Sequence, residues 1–129
     1  HLQAKYREIE ANEVRYELQQ CDDAEYLIVA FGSAARIAEK SVELARENGI
    51  KVGLFRPITL WPFPDTALHE LAIGKHGVLV AEINAGQMIQ DVRLAVGDTV
   101  PVKGFGRLGG IVPDPQEIVE ALTSQFLEK

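Results

Sequence analysis

The stretch "YLIVAFGSAARIAEKSVELARENGIKVGLF", Tyr26 to Phe55, reads as strand, helix, strand. "YLIVAF" is an unbroken apolar run, the pattern of a strand covered on both faces. It breaks at Gly32-Ser33, and apolar residues then recur at Ala34, Ala38, Val42 and Ala45, which lie together on one face of a helix. Asn48-Gly49 supplies the C-terminal stop of that helix. "KVGLF" opens a second apolar strand, ended by Pro57. Two buried strands joined by a helix pair in parallel, so the stretch points to an α/β architecture.

The same alternation continues downstream. Asp65 reads as the N-cap of a helix with Leu68, Leu71 and Ala72 inward, and "GVLVAEI" from Gly77 is another buried strand. "NAGQMIQDVRLAV" follows as a helix that turns Met88, Val92 and Ala95 or Val96 to the core, and "VPVKGF" from Val100 is a last short strand. Asp114-Pro115-Gln116-Glu117 combines an N-cap acid, proline at N1 and glutamate at N3, the opening of a closing helix with Ile118, Leu122 and Phe126 inward. Upstream, "QQCDDA" is a polar loop, and "VRYEL" alternates, with Val14, Tyr16 and Leu18 on one face, as a half-solvated edge strand does. Leu2, Tyr6 and Ile9 repeat at i, i+4, i+7, which predicts a short helix over residues 2–11. The sum is one three-layer α/β/α domain over residues 1–129, with a mostly parallel sheet and one antiparallel edge strand.

Composition excludes several functions. A chain of 129 residues with 47% hydrophobic and 25% charged residues is long enough for one sizeable core and ordinary for a globular protein. A net charge of −6 argues against a nucleic-acid or anionic-membrane surface, and the apolar runs are too short to span a bilayer. The single cysteine, Cys21, leaves no internal disulfide and no cysteine metal cluster, so the expected setting is a reducing cytoplasm. The chain opens His1-Leu2-Gln3 without an initiator methionine, which raises two readings: a piece of a longer polypeptide, or a trimmed terminus.

Two strand-to-helix junctions are candidate binding positions. In "FGSAAR", Gly32 and Ser33 open a helix whose first N–H groups favour an anion, although neither GxGxxG nor a Walker A loop is present. In "EINAGQ", Glu82, Asn84, Gly86 and Gln87 are unusually polar for the carboxyl end of a buried strand. Should the sheet reverse its winding direction between these strands, both junctions border one crevice, where open α/β sheets place ligands. The alternative is a tight turn at Gly32 and backbone capping by Glu82 and Asn84. No catalytic set assembles: His1, His69 and His76 lack metal spacing, Ser33 lacks the following glycine of a nucleophile elbow, and Cys21 stands beside two acids that disfavour its thiolate.

Three motifs in order, "KVGLFRPITLWPFP", "AEINAGQMIQDVRLAV" and "GFGRLGGIVPDPQEI", resemble the C-terminal domain of the α subunit of 2-oxoacid:ferredoxin oxidoreductases. The resemblance runs from about Tyr6 to Leu127 and is closest to the 2-oxoisovalerate (branched-chain) type, with the 2-oxoglutarate type next. More broadly the chain is similar to the transketolase C-terminal module. That resemblance implies a five-stranded mixed sheet in the order 1-3-2-4-5, strand 1 antiparallel, with Gly32-Ser33 and Glu82 to Gln87 at one sheet edge. It also implies the family reaction, oxidative decarboxylation of a 2-oxoacid with CoA and ferredoxin to an acyl-CoA, CO2 and reduced ferredoxin.

The family's diphosphate-binding Gly-Asp-Gly motif is missing here, as are the cluster cysteines. The resemblance therefore implies no catalytic residue and no bound cofactor in this chain, with thiamine diphosphate, magnesium and iron–sulfur clusters held elsewhere in a complex and CoA as co-substrate. Its implied partners are the β subunit, with γ and δ subunits where these exist, and ferredoxin through the complex. The competing reading is a free-standing flavodoxin-like module that binds a small molecule in the crevice. "GLFRPITLWPFPD", Gly53 to Asp65, sets Leu60, Trp61 and Phe63 among three prolines. Those apolar residues are either covered by the next helix or form a proline-stiffened contact surface for a subunit.

Overall fold

The computed structural model describes residues 6–11, 14–58, 63–82, 88–106 and 114–127, with backbone alone at 6–11, 14 and 106. Six strands and four helices alternate: β1 (Tyr6–Ala11), β2 (Val14–Gln19), β3 (Tyr26–Ala30), α1 (Ser33–Glu47), β4 (Val52–Pro57), α2 (Asp65–Ala72), β5 (Gly77–Glu82), α3 (Met88–Val96), β6 (Val102–Gly106) and α4 (Pro115–Leu122), the last run out in a π-type turn over Thr123–Leu127. They form one mixed sheet in the order β1-β2-β4-β3-β5-β6. The strands β4, β3, β5 and β6 are mutually parallel, and β2 runs antiparallel to β4. With β2 counted first, this is the order 1-3-2-4-5 that the family resemblance implies.

The predicted helix over residues 2–11 is not formed where it is described. Residues Tyr6–Ala11 are a strand that pairs antiparallel with β2, from Tyr6 opposite Gln19 to Ala11 opposite Val14. A helix of about ten residues is marginal in water without packing, whereas the open edge of β2 offers a ladder partner only two residues away. The sheet therefore has six strands rather than five, and "VRYEL" is second from the edge.

Alternation in the three strands β4, β3 and β5 builds the three layers. Ile28, Leu54 and Leu79 face α1 and α4, where Ala38, Val42, Ile118 and Leu122 close one core. Leu27, Val29, Phe55, Val78 and Val80 face α2 and α3, where Leu68, Met88, Val92 and Val96 close the other. Burying each of these larger side chains contributes about 1.5–3 kcal/mol. Small alanines along α1 let that helix sit close on the sheet, and Ser41, fully buried, donates its hydroxyl hydrogen bond to the carbonyl oxygens of Ile37 and Pro115.

Local signals account for the helix ends. Asp114 accepts from the Gln116 N–H at 2.9 Å while Glu117 reaches back to the Asp114 N–H at 2.8 Å, the reciprocal capping box predicted for α4. At α2 the expectation shifts by one residue: Pro64 is the N-cap, and Asp65 is the first helical residue, its carboxylate accepting from the Thr66 N–H at 2.8 Å. An acid in the first turn still complements the helix dipole. Gly53 in β4 is required by close approach, since a Cβ there would stand 2.8 Å from both Cys21 Cα and the Gln20 carbonyl oxygen.

Candidate functional site

The winding reversal falls between β3 and β5. These neighbours pair in register from Tyr26–Gly77 to Ala30–Ala81, yet β3 leads into α1 on one face of the sheet and β5 into α3 on the other. The chain diverges above the carboxyl ends of two adjacent strands, which opens the switch-point crevice of an open α/β sheet. Gly32 and Ser33 follow the carboxyl end of β3 and Glu82 ends the neighbouring β5, so the two junctions lie at the carboxyl ends of adjacent strands. Asn84, Gly86 and Gln87 lie outside the described residues.

Each described member of the crevice has a local explanation. Gly32 adopts φ 65°, ψ −136°, a conformation costly for any other residue, and so turns the chain sharply from β3 into α1. No side chain caps the start of α1, and its first turn carries no acid. Glu82 is half-buried, and its carboxylate accepts from the Met88 N–H at 2.9 Å and the Ile89 N–H at 3.3 Å. It thus caps α3 from the end of the preceding strand. The capping alternative describes Glu82 well. Phe31, read from the sequence as the end of a buried strand, lies one residue past β3 and is 40% exposed at this edge.

A second concavity lies on the α2 face, beyond the crevice. A cavity of about 610 Å³ opens between β2, β4 and α2, floored by Tyr16, Leu18, Phe55, Phe63 and Leu71. Tyr16 stacks on Phe55 with ring centroids 5.1 Å apart and planes 18° from parallel. Ala67, Asp65 and Glu70 of α2 line its edge. The carboxylates of Asp65 and Glu70 are exposed, and among the described residues no cation pairs with either. Phe63 is therefore half-buried in the wall of a groove, while Leu60 and Trp61 lie outside the described residues. The alternation of "VRYEL" was the available signal for Tyr16 and Leu18. Their union with α2 depends on packing between segments far apart in the chain.

Other reactive groups are internally occupied. Cys21 is buried, with Sγ 3.3 Å from the Leu54 carbonyl oxygen. Arg46 ties three segments together, donating to Val52 O at 3.0 Å, Gln20 O at 2.8 Å and both oxygens of Asp23. That guanidinium hydrogen bond holds the Asp23 carboxyl below its ordinary range. His69 Nδ1 lies 2.9 Å from the Ala95 carbonyl oxygen, joining α2 to α3. Among the described residues no three His, Cys, Asp or Glu side chains gather as metal ligands, and no helix is long and apolar enough to cross a membrane.

Comparison with known proteins places this architecture. Ketoisovalerate oxidoreductase subunit VorB of Methanothermobacter thermautotrophicus is 45% identical over 122 residues, which are 95% of this chain and 34% of that protein. 2-Oxoglutarate synthase subunit KorA of Methanothermobacter marburgensis is 32% identical over 101 residues, 78% of this chain and 27% of that one. The chain thus spans about a third of the length of the curated relatives it matches. Among solved structures, a 2-oxoglutarate:ferredoxin oxidoreductase from Magnetococcus marinus, with 2-oxoglutarate, coenzyme A and succinyl-CoA bound, superposes with a TM-score of 0.71 over 97% of this chain and 20% of that chain, at 21% identity. That likeness establishes the shared fold. The model of the pyruvate:ferredoxin oxidoreductase core domain II matches residues 24–118, and the chain belongs to that family.

Proposed function

We propose that this chain is the C-terminal, transketolase-like domain of an α-type subunit in a thiamine-diphosphate-dependent 2-oxoacid:ferredoxin oxidoreductase of the branched-chain type. The observation that carries this reading is 45% identity with a ketoisovalerate oxidoreductase subunit across 95% of the chain, against 32% over a shorter span with a 2-oxoglutarate synthase subunit. The complex would convert 2-oxoisovalerate, CoA and oxidised ferredoxin to the acyl-CoA, CO2 and reduced ferredoxin in the cytoplasm. Thiamine diphosphate, with magnesium, would supply the carbanion chemistry from elsewhere in the complex, and iron–sulfur clusters there would carry the electrons.

This domain's own work is organisational. It docks against the β subunit, and against γ and δ subunits where these exist. Gly32, Ser33 and Glu82, with Asn84, Gly86 and Gln87, shape one side of the access route for CoA. The use of Glu82 on the α3 backbone supports a shaping role over a chemical one. Leu60, Trp61 and Phe63 supply contact surface, the proline-stiffened setting lowering the entropy lost on docking.

The test is reconstitution of the complete α-type subunit with its partner subunits, followed by CoA-dependent viologen reduction with 2-oxoisovalerate, 2-oxoglutarate and pyruvate. Preference for 2-oxoisovalerate is expected. Turnover with none of the three overturns the assignment, and a preference for another acid moves the substrate class. Micromolar binding of FMN would instead favour a small-molecule module.

A further inference from the structure

We infer that the groove between β2, β4 and α2 receives a segment of a neighbouring subunit in which a large apolar side chain is flanked by lysine or arginine. The inference rests on the assembly role proposed above and names the surface and the partner chemistry. The floor is apolar and pre-formed, because the Tyr16–Phe55 stack and Leu18 belong to the sheet and Leu71 to a packed helix. A volume of about 610 Å³ is enough for several side chains, and inserting an aromatic or long aliphatic anchor there would remove it from water with little reordering of the groove. The rim fixes the charge of the occupant. Asp65 and Glu70 stand on α2 at the mouth, exposed and without a cation among the described residues, and the chain as a whole carries −6. Arg56, paired with Glu17 at 3.1 Å, alternates to the opposite face of the sheet from Phe55 and Leu18, so it offsets neither rim acid. An apolar floor under two exposed carboxylates without a cation among the described residues selects a basic–apolar–basic segment and repels an acidic one.

The test uses the complete complex. Ala67 lines the groove from α2, so Ala67→Leu fills part of it with a residue of good helix propensity, while Glu70→Lys reverses the rim charge near the C-terminal end of α2, where a cation suits the helix dipole. Each is expected to raise the Kd of subunit assembly about tenfold while the melting temperature of the purified subunit stays within about 2 °C, and the Glu70→Lys effect should shrink in high salt. With p-benzoylphenylalanine at position 67, irradiation should crosslink to another subunit beside a lysine or arginine. Assembly affinities within twofold of the parent, or a crosslink confined to the subunit's own chain, overturn the proposal. Viologen reduction by the unmodified complex tests the functional reading separately, so failure of one is distinguishable from failure of the other.

Discussion

Replacing Glu82 separates a structural from a ligand-binding crevice. Its carboxylate holds two N–H groups at the start of α3, at 2.9 and 3.3 Å. A hydrogen bond to a charged group contributes about 1.5–3 kcal/mol, and the longer of these two is weak. The charge also faces the positive end of the α3 dipole, worth about 0.3–1 kcal/mol. Glu82→Ala removes both and leaves two N–H groups to find other partners, so the expected loss is about 2 kcal/mol. Glu82→Gln keeps one carbonyl acceptor and should lose about 1 kcal/mol. For a chain of 129 residues, the entropy of unfolding per residue converts each kcal/mol to about 4 °C, so the melting temperature should fall by about 8 °C and about 4 °C.

Thermal unfolding gives those values, and amide exchange localises them. Because α3 is only nine residues long, it depends on its cap and its packing, and Met88 and Ile89 should lose protection first in Glu82→Ala. Melting within about 1 °C of the parent, with both amides still protected, would refute the capping argument. If the same variant then raised the KM for CoA in the reconstituted complex, Glu82 would be assigned to the ligand instead.

Three further outcomes follow from the packing. Gly53→Ala should cost about 2–3 kcal/mol in urea unfolding, and adding Cys21→Ala should not restore it, because two of the three clashing atoms are backbone; full rescue would refute this. Gln19 is fully buried with no hydrogen-bond partner for its side-chain Oε1 and Nε2 among the described residues, so Gln19→Leu should stabilise the chain by about 1–2 kcal/mol, and a lower urea midpoint would count against it. The Arg46 hydrogen bond lowers the folded-state pKa of Asp23, so its contribution is present above the ordinary carboxylate range and is lost as pH falls through the lowered value. Asp23 is exposed and the pair well screened, so Asp23→Asn should cost only about 0.5 kcal/mol near neutral pH and nothing near pH 2; a difference that persists in acid would refute the assignment.

What was legible in the sequence follows from how local each signal is. The strand–helix–strand unit from Tyr26 to Phe55 reads correctly because each element carries its own period and its own stop, down to Asn48-Gly49. Asp114 to Glu117 reads correctly because a capping box closes within four residues. Residues Tyr6–Ala11 fail for the opposite reason. "YREIEA" fits a helical spacing with Leu2, but Arg7, Ile9 and Ala11 also alternate, and only the free edge of β2 decides between the two. The groove was not legible at all. Tyr16, Phe55 and Leu71 meet only after an antiparallel strand, a parallel strand and a crossover helix have packed.

The described polar residues with chemistry to offer are engaged in holding the fold. Glu82 is used on the α3 backbone, Asp114 on the α4 backbone, Arg46 on two carbonyls and Asp23, and Cys21 on Leu54 O. Each stabilises the fold by satisfying a group that burial would otherwise leave unpaired. The proline-rich stretch divides the same way. Leu54 and Phe55 are core and Pro57 ends β4 in the sheet, whereas Phe63 and Pro64 wall the groove beside two exposed acids that have no cation partner among the described residues. The groove on the described surface is thus the material of a contact, an apolar floor with a charged rim.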